Sequence, residues 1–385
     1  MSKIEWTDVT WNPLAGCTRA SRGCDHCYAA VMALRLEAMA HADVRAGREI
    51  GHKAKYIGTA RKNAAGHVAF VGTVNLDYEA LTEPFAWRKP RRVFVNSMSD
   101  LFHKDVPYDF VARAFAVMAM TPEHTYQVLT KRPERMAEVV TRLYSRNAMD
   151  ILLSIAGNWW DGVPDRKIIT DHVCAPLPNV WLGTSVEDQA AADERIPHLL
   201  RVPARVRFLS CEPLLGPLDL GRYLVCERCD GDGQIFVTRQ TGRRSFIGGH
   251  MPCPGCKGTV WRRDIRWIIA GGESGVGGRP MHPAWARSLQ EQAQTAGVAF
   301  FFKQWGEYVP DSCVDPSLLC APQLLRAHFG TVGSDGSYVD SAYSALFPIP
   351  DPECVYRVGK ARAGRLLDGR EWSEYPELTE AAHGH

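Results

Sequence analysis

Seven of the twelve cysteines fall into two groups with the spacing of metal ligands. Cys17, Cys24 and Cys27 are separated by six and then two residues. Three thiolates are one short of a structural zinc site, and His26, between two of them, would turn its ring away from the same metal. Three is a useful number for a [4Fe–4S] cluster, in which sulfur holds three irons and the fourth stays open to a substrate or cofactor. Cys226, Cys229, Cys253 and Cys256 form two C-x2-C pairs with 23 residues between them. That spacing places four thiolates tetrahedrally around Zn²⁺, with free thiols or an iron site as the alternatives.

Groups of this kind need a frame. Apolar, β-branched and aromatic runs beginning at Val93, Tyr126, Val180, Val206, Trp267 and Val298 read as strands. Between them, Asp109 to Met120, Pro133 to Arg146, Glu187 to Leu200 and Pro283 to Ala296 carry apolar residues at helical spacing. A first strand near Val9 and a helix from Ala29 to about His41 complete an α/β chain of strand-then-helix units. Such alternation implies a parallel sheet, doubly wound or curled into a barrel. The three-cysteine loop then falls after the first strand, where the N–H groups and dipole of the first helix would offset the negative charge of a cluster.

Two stretches break the rhythm. Asp43 to Pro90 is an irregular connection with one short strand at Val68 to Val71, read as a lid or embellishment. Residues 217–264 are Gly-rich and Cys-rich and read as an inserted zinc-binding minidomain of 48 residues, too small to fold reliably on apolar burial alone. A structural role and contact with nucleic acid both suit it, the latter through Arg243-Arg244 and Arg262-Arg263. The expected division is a barrel in two parts, 1–216 and 265–306, the insert between them, and a loop-rich extension over 307–385, frayed after Tyr375.

Several polar groups lie just after predicted strands. Lys131-Arg132, Glu187, Glu212 and Lys303-Gln304 would gather at one face, where charges must be paired or functional. Cys211, beside Glu212, is either a functional thiol or a small buried packing residue. The run Gly271-Gly272-Glu273 either lets backbone approach a ligand or makes a tight turn.

Composition bounds the partners. With 45 Lys+Arg against 43 Asp+Glu the net charge is +2, so nucleic acid would have to be met by a local patch. The first residues lack the pattern of a secretory signal and no apolar run approaches a membrane span, so a soluble, cytoplasmic protein without membrane contact is expected. A reducing compartment leaves the cysteines free for metals or catalysis.

The runs Trp6 to Pro13, Gly16-Cys17, CDHCYA from Cys24, Phe94 to His103, Leu129 to Pro133, Leu182 to Glu187, Phe208 to Pro217, Gly271 to Gly275, Phe302 to Gly306 and Ala363 to Gly369 carry a resemblance. The chain resembles the radical S-adenosylmethionine (SAM) superfamily, and more narrowly a phage- and prophage-associated three-cysteine-motif family of unknown function. It departs from the commonest superfamily pattern in the first spacing, six residues instead of three. The cysteine pairs at 226–256, each followed by glycine, resemble the zinc knuckles of DnaJ-type chaperones, the second lacking the final glycine.

The resemblance implies a partial or irregular (β/α) barrel with Cys17, Cys24 and Cys27 as [4Fe–4S] ligands and His26 near the adenine of S-adenosylmethionine. It also implies that the loop Asn96-Ser97-Met98-Ser99-Asp100 receives the methionine amino group, with Asp100 or Ser97 as acceptor, although a helix N-cap would explain either equally. Gly271, Gly272 and Glu273 join that cofactor set. Cys211, as a hydrogen-atom donor to the substrate radical, Glu212 and Lys131 are the catalytic candidates, a flavodoxin or ferredoxin the reductant, and a DNA base or nucleotide the substrate. A non-catalytic zinc or iron–sulfur protein that binds nucleic acid is the alternative, and an electron carrier or sensor a third.

Overall fold

A computed structural model describes residues 4–64, 66–145, 176–225, 234–240, 246–252, 264–314, 328–340 and 348–377. Seven strands form its main sheet: β1 (Val9–Trp11), β2 (Arg92–Val95), β3 (Thr125–Thr130), β4 (Val180–Ser185), β5 (Val206–Cys211), β6 (Ile265–Gly271) and β7 (Ala299–Gln304). They lie side by side in chain order, every neighbouring pair parallel. A doubly wound sheet reverses its strand order at a switch point. This one never does, so right-handed crossovers all return on the same side.

Five helices accompany the strands: α1 (Tyr28–Arg45), α2 (Tyr108–Met120), α3 (Pro133–Leu143), α4 (Gln189–Arg201) and α5 (Pro283–Ala296). The last four cover the outer face, where Phe115, Met136, Ile196 and Leu289 share a core with Tyr126, Val128, Leu182 and Leu209. Helix α4 begins two residues later than the sequence suggests because the Asp188 carboxylate caps it, accepting from the Ala191 amide at 2.9 Å. Helix α1 packs elsewhere, with Ala29, Ala30 and Ala33 against Tyr56, Ala60 and Met98.

The opposite face is lined by aromatic rings. Trp6, just before β1, lies 4.6 Å from the Phe94 ring of β2 and 5.9 Å from the Trp267 ring of β6. Strands spaced about 4.8 Å apart would put β1 and β6 roughly 24 Å from each other in a flat sheet. The ring contact therefore requires the sheet to curl into a half-barrel with an aromatic bore.

Residues 372–375 follow the free edge of β7. The Phe302 amide donates to the Trp372 carbonyl at 3.0 Å and the Glu374 amide to the Phe300 carbonyl at 3.1 Å. Tyr375 then stands 5.2 Å from the Trp267 ring and under the Arg92 guanidinium at 4.3 Å, while Arg92 also pairs with Asp8. The chain end thus bridges from the last strand toward the first two.

The Asp43 to Pro90 connection holds a 3-10 turn at Gly51–Tyr56 and a hairpin of Ala60–Lys62 with Val68–Phe70. Within 217–264 a helical turn at Gly221–Leu224 packs Leu218, Leu220, Tyr223 and Leu224 into the main core, and Gln234–Gln240 pairs with Phe246–Pro252 as an antiparallel hairpin, while the four cysteines of the pairs lie outside the described residues. The loop-rich extension expected over 307–385 needs correction. Tyr308–Pro310, Glu353–Arg357, His328–Val332 and Tyr338–Asp340 make a four-stranded antiparallel sheet in that order. Strands of three to five residues between Gly, Ser and Pro turns leave little periodic signal. Among the described residues no helix is long and apolar enough to cross a membrane.

Candidate active site at the cysteine loop

A cavity of about 550 Å³ opens at the C-terminal ends of the strands, and Cys17, Cys24 and Cys27 all line it. Every strand sends a neighbour to it: Asn96 and Asp100 after β2, Lys131 and Arg132 after β3, Ser185 from β4, and Ser210 and Glu212 from and after β5. Gly272 and Glu273 follow β6, and Lys303 comes from β7. This is the face on which parallel β/α barrels carry their chemistry. Trp6, Phe94 and Leu129 give the cavity an apolar floor.

Burial pushes the Cys17 thiol up to about 12, the Asp100 charge adding to that and Arg132 opposing it. Burial also raises Cys27, against the pull of the Ala30 and Ala29 amides at the start of α1 and of the Lys131 charge. A charge on Cys24 adds to the rise at both. Binding of any metal group here would release protons. Among the described residues no three His, Cys, Asp or Glu side chains close around a single ion; the three thiols line a shared cavity instead.

Three carboxylates from different strand ends hold the cysteine loop. Asp100 accepts from Thr130 Oγ1 at 2.7 Å and the Phe102 amide at 2.9 Å through one oxygen, and from Arg132 at 2.7 Å and the Lys131 amide at 3.3 Å through the other. Arg132 reaches on to the Thr18 carbonyl at 3.0 Å, the Thr18 hydroxyl at 2.7 Å and Cys17 Sγ at 3.6 Å. Glu187 binds Arg195 with both oxygens, at 2.9 and 3.4 Å, and Lys131 at 3.5 Å. Burial would raise its pKa, but the charges of Lys131 and Arg195 overturn that and hold it at about 2. Its carboxyl lies where a Cβ on Gly23 would come within 3.1 Å, so the loop rests on it through a residue without a side chain.

Glu273 clamps the other end of the loop. It accepts from Arg279 Nε at 2.8 Å, Arg279 Nη2 at 2.6 Å and the Arg279 amide at 2.9 Å, and stands 3.1 Å from His26 Nδ1. Burial works to raise its carboxyl, and the Arg279 bonds and charge keep it below the ordinary value. Arg279 also donates to the Arg22 carbonyl at 2.9 Å. The His26 ring packs on Gly277, whose φ of +84° and missing side chain leave room for it.

These contacts revise several sequence expectations. Asp100 already has four donors, the capacity of a carboxylate, so it positions Arg132 and is no open acceptor for a cofactor amine. Ser97 Oγ donates to Asn12 Oδ1 at 3.1 Å, which also accepts the Met98 amide. Asn96 is the open group of this loop: it is 3% exposed, has a φ of +59°, and neither amide atom has a partner. Gly271 does not line the cavity, and Gly272 is required by the fold, since its Cβ would stand 1.9 Å from the Trp305 carbonyl oxygen. Cys211 is fully buried in the outer core, because strand alternation sends Ser210 and Glu212 to the cavity and Cys211 to the helices. Glu212 pairs with Lys303 at the cavity wall. Arg195 and Arg279 pair with carboxylates only eight and six positions away, Glu187 and Glu273, but follow no motif that marks them, and the reach of Arg279 to Arg22 spans 257 positions.

Fold and site together define a parallel β/α half-barrel with a three-cysteine loop at its functional face. The chain belongs to the family described as protein of unknown function (DUF5131), whose family model matches residues 1–376. No curated protein and no solved structure matches it.

Proposed function

We propose that the protein is a radical S-adenosylmethionine enzyme. The observation that carries this reading is the convergence of Cys17, Cys24 and Cys27 with polar groups from the strand ends in one 550 Å³ cavity. The donor set suits a [4Fe–4S] cluster with one open iron. Bound there, that cluster would supply the electron that splits the sulfonium–carbon bond of S-adenosylmethionine into methionine and a 5′-deoxyadenosyl radical.

The chain's own residues would do the rest. Lys131 and Arg132 offset the charge of Cys27 and Cys17 when these are thiolates. The Asn96 side chain, neither amide atom of which has a partner in the protein, is the group left to hold the polar end of the cofactor. His26, oriented by Glu273, takes the adenine side. The Glu212–Lys303 pair, Ser185 and Ser210 remain to meet the substrate, for which a DNA base or nucleotide is the proposed class. The apolar floor of Trp6, Phe94 and Leu129 limits solvent in the reaction volume and so strengthens the polar contacts made there. Cys226, Cys229, Cys253 and Cys256 are proposed to hold a structural Zn²⁺.

Anaerobic reconstitution tests the reading. About four irons and four sulfides per chain are expected, with an electron paramagnetic resonance spectrum that changes when S-adenosylmethionine is added. Zinc at the N-terminal cysteines with no acid-labile sulfide would overturn it. Cys24→Ala is expected to assemble no complete cluster.

A further inference from the structure

We propose that the outer face of α1 is the docking surface for an acidic electron-carrier protein, an inference that rests on the redox reading of the cysteine loop. A surface helix normally turns polar residues outward. Of the twelve large hydrophobic residues exposed among the described residues, five are on this one helix: Tyr28, Val31, Met32, Met39 and Val44. Val31 and Val44 are 55% and 59% exposed. The helix buries alanines on its inner side and presents its larger apolar groups to solvent. Exposed apolar groups concentrated in this way mark an interaction site.

Charge selects the occupant. Arg35 and Arg45 are exposed on the same helix. Its carboxylates are engaged elsewhere: Glu37 accepts the Gly58 amide at 2.9 Å, and Asp43 is buried and paired with Arg48 and Lys53. An apolar surface with cationic groups and no free anion favours an acidic partner and opposes a second copy of itself, whose arginines would repel. Position supplies the purpose. Helix α1 has 18 residues and is capped by Cys27, so at about 1.5 Å per residue it offers roughly 27 Å of surface that ends at the cysteine loop. A partner seated there is beside the group the cysteines hold. The step it serves moves one electron from the partner's reduced flavin, which is oxidised by one electron, to that group; no bond to this chain is formed.

The test measures affinity of the full chain for a flavodoxin by biolayer interferometry, without requiring a loaded cluster. Wild type is expected to bind, with an affinity that falls as salt rises. Val31→Glu combined with Met39→Glu should weaken binding at least tenfold while circular dichroism stays unchanged, and Arg35→Glu should weaken it and flatten the salt dependence. Three results would overturn the inference: no binding, equal affinity in wild type and variants, or a wild-type dimer or anionic-vesicle complex that the same substitutions abolish. Dithionite-driven formation of 5′-deoxyadenosine separates the two readings. The variants should retain it, and its absence from wild type would count against the catalytic reading while leaving the binding result intact.

Discussion

Carboxylates at the strand ends work here mainly as anchors. Asp100 and Glu273 bind arginines that hold the cysteine loop, and Glu187, bound to Arg195, lies directly against Gly23 of that loop, so each should matter through stability and geometry before chemistry. Arg132→Ala would leave the buried Asp100 charge unpaired and is expected to cost about 3 kcal/mol in urea unfolding, with loss of iron after reconstitution. Glu187 gives a sharper, pH-dependent signature. Its folded pKa of about 2 lies below the ordinary 4.5, so its contribution is complete above pH 4.5 and is lost as pH falls toward 2. A shift of that size corresponds to about 3 kcal/mol. Glu187→Gln should therefore unfold at lower urea at pH 7, and its difference from wild type should shrink progressively as pH drops through that window. A constant difference from pH 7 to pH 3 would show that the charge is not what stabilises.

At the scale of elements, strand-then-helix alternation was legible because each unit declares itself locally, and so was the place of the cysteine loop after the first strand. Partners within the site were not legible. Arg132 reaches Cys17 across 115 positions and Arg279 reaches Arg22 across 257, and only the curled sheet brings such residues together. Cys211 illustrates the finer difficulty: a shift of one residue along β5 decides whether a side chain meets the cavity or the helices. Turn geometry also hides in sequence. Gly272 looks like a ligand-binding glycine but makes room for the Trp305 carbonyl, so Gly272→Ala should destabilise by about 3 kcal/mol through overpacking, read as a lower melting temperature even in apoprotein. Asp188→Ala removes the α4 cap and should cost about 1 kcal/mol, without altering the cavity.

Across the whole molecule, the open edge of the half-barrel is covered by residues 372–375. Residues 372–375 use the free edge of β7, and Tyr375 packs between the Trp267 ring and Arg92. A chain ending at Glu371 should lose the near-ultraviolet signal of an ordered Trp267 and melt at lower temperature; an unchanged melting curve would assign that segment no structural weight. The tail expected to fray after Tyr375 is still held at Pro376, which is buried, and at Glu377, whose carbonyl accepts from Arg266 at 2.9 Å, while residues 378–385 lie outside the described residues. The proposed function depends on all of this frame, because it requires three thiols and the polar strand ends to enclose one reaction volume. The most direct measurement is chromatographic: wild-type protein, reconstituted anaerobically and reduced with dithionite, is incubated with S-adenosylmethionine and the products are quantified. Equal amounts of 5′-deoxyadenosine and methionine are expected from wild type and none from Cys24→Ala, whereas a fully clustered, reduced wild-type protein that yields no 5′-deoxyadenosine, even with nucleotides and DNA present, would contradict the proposed chemistry.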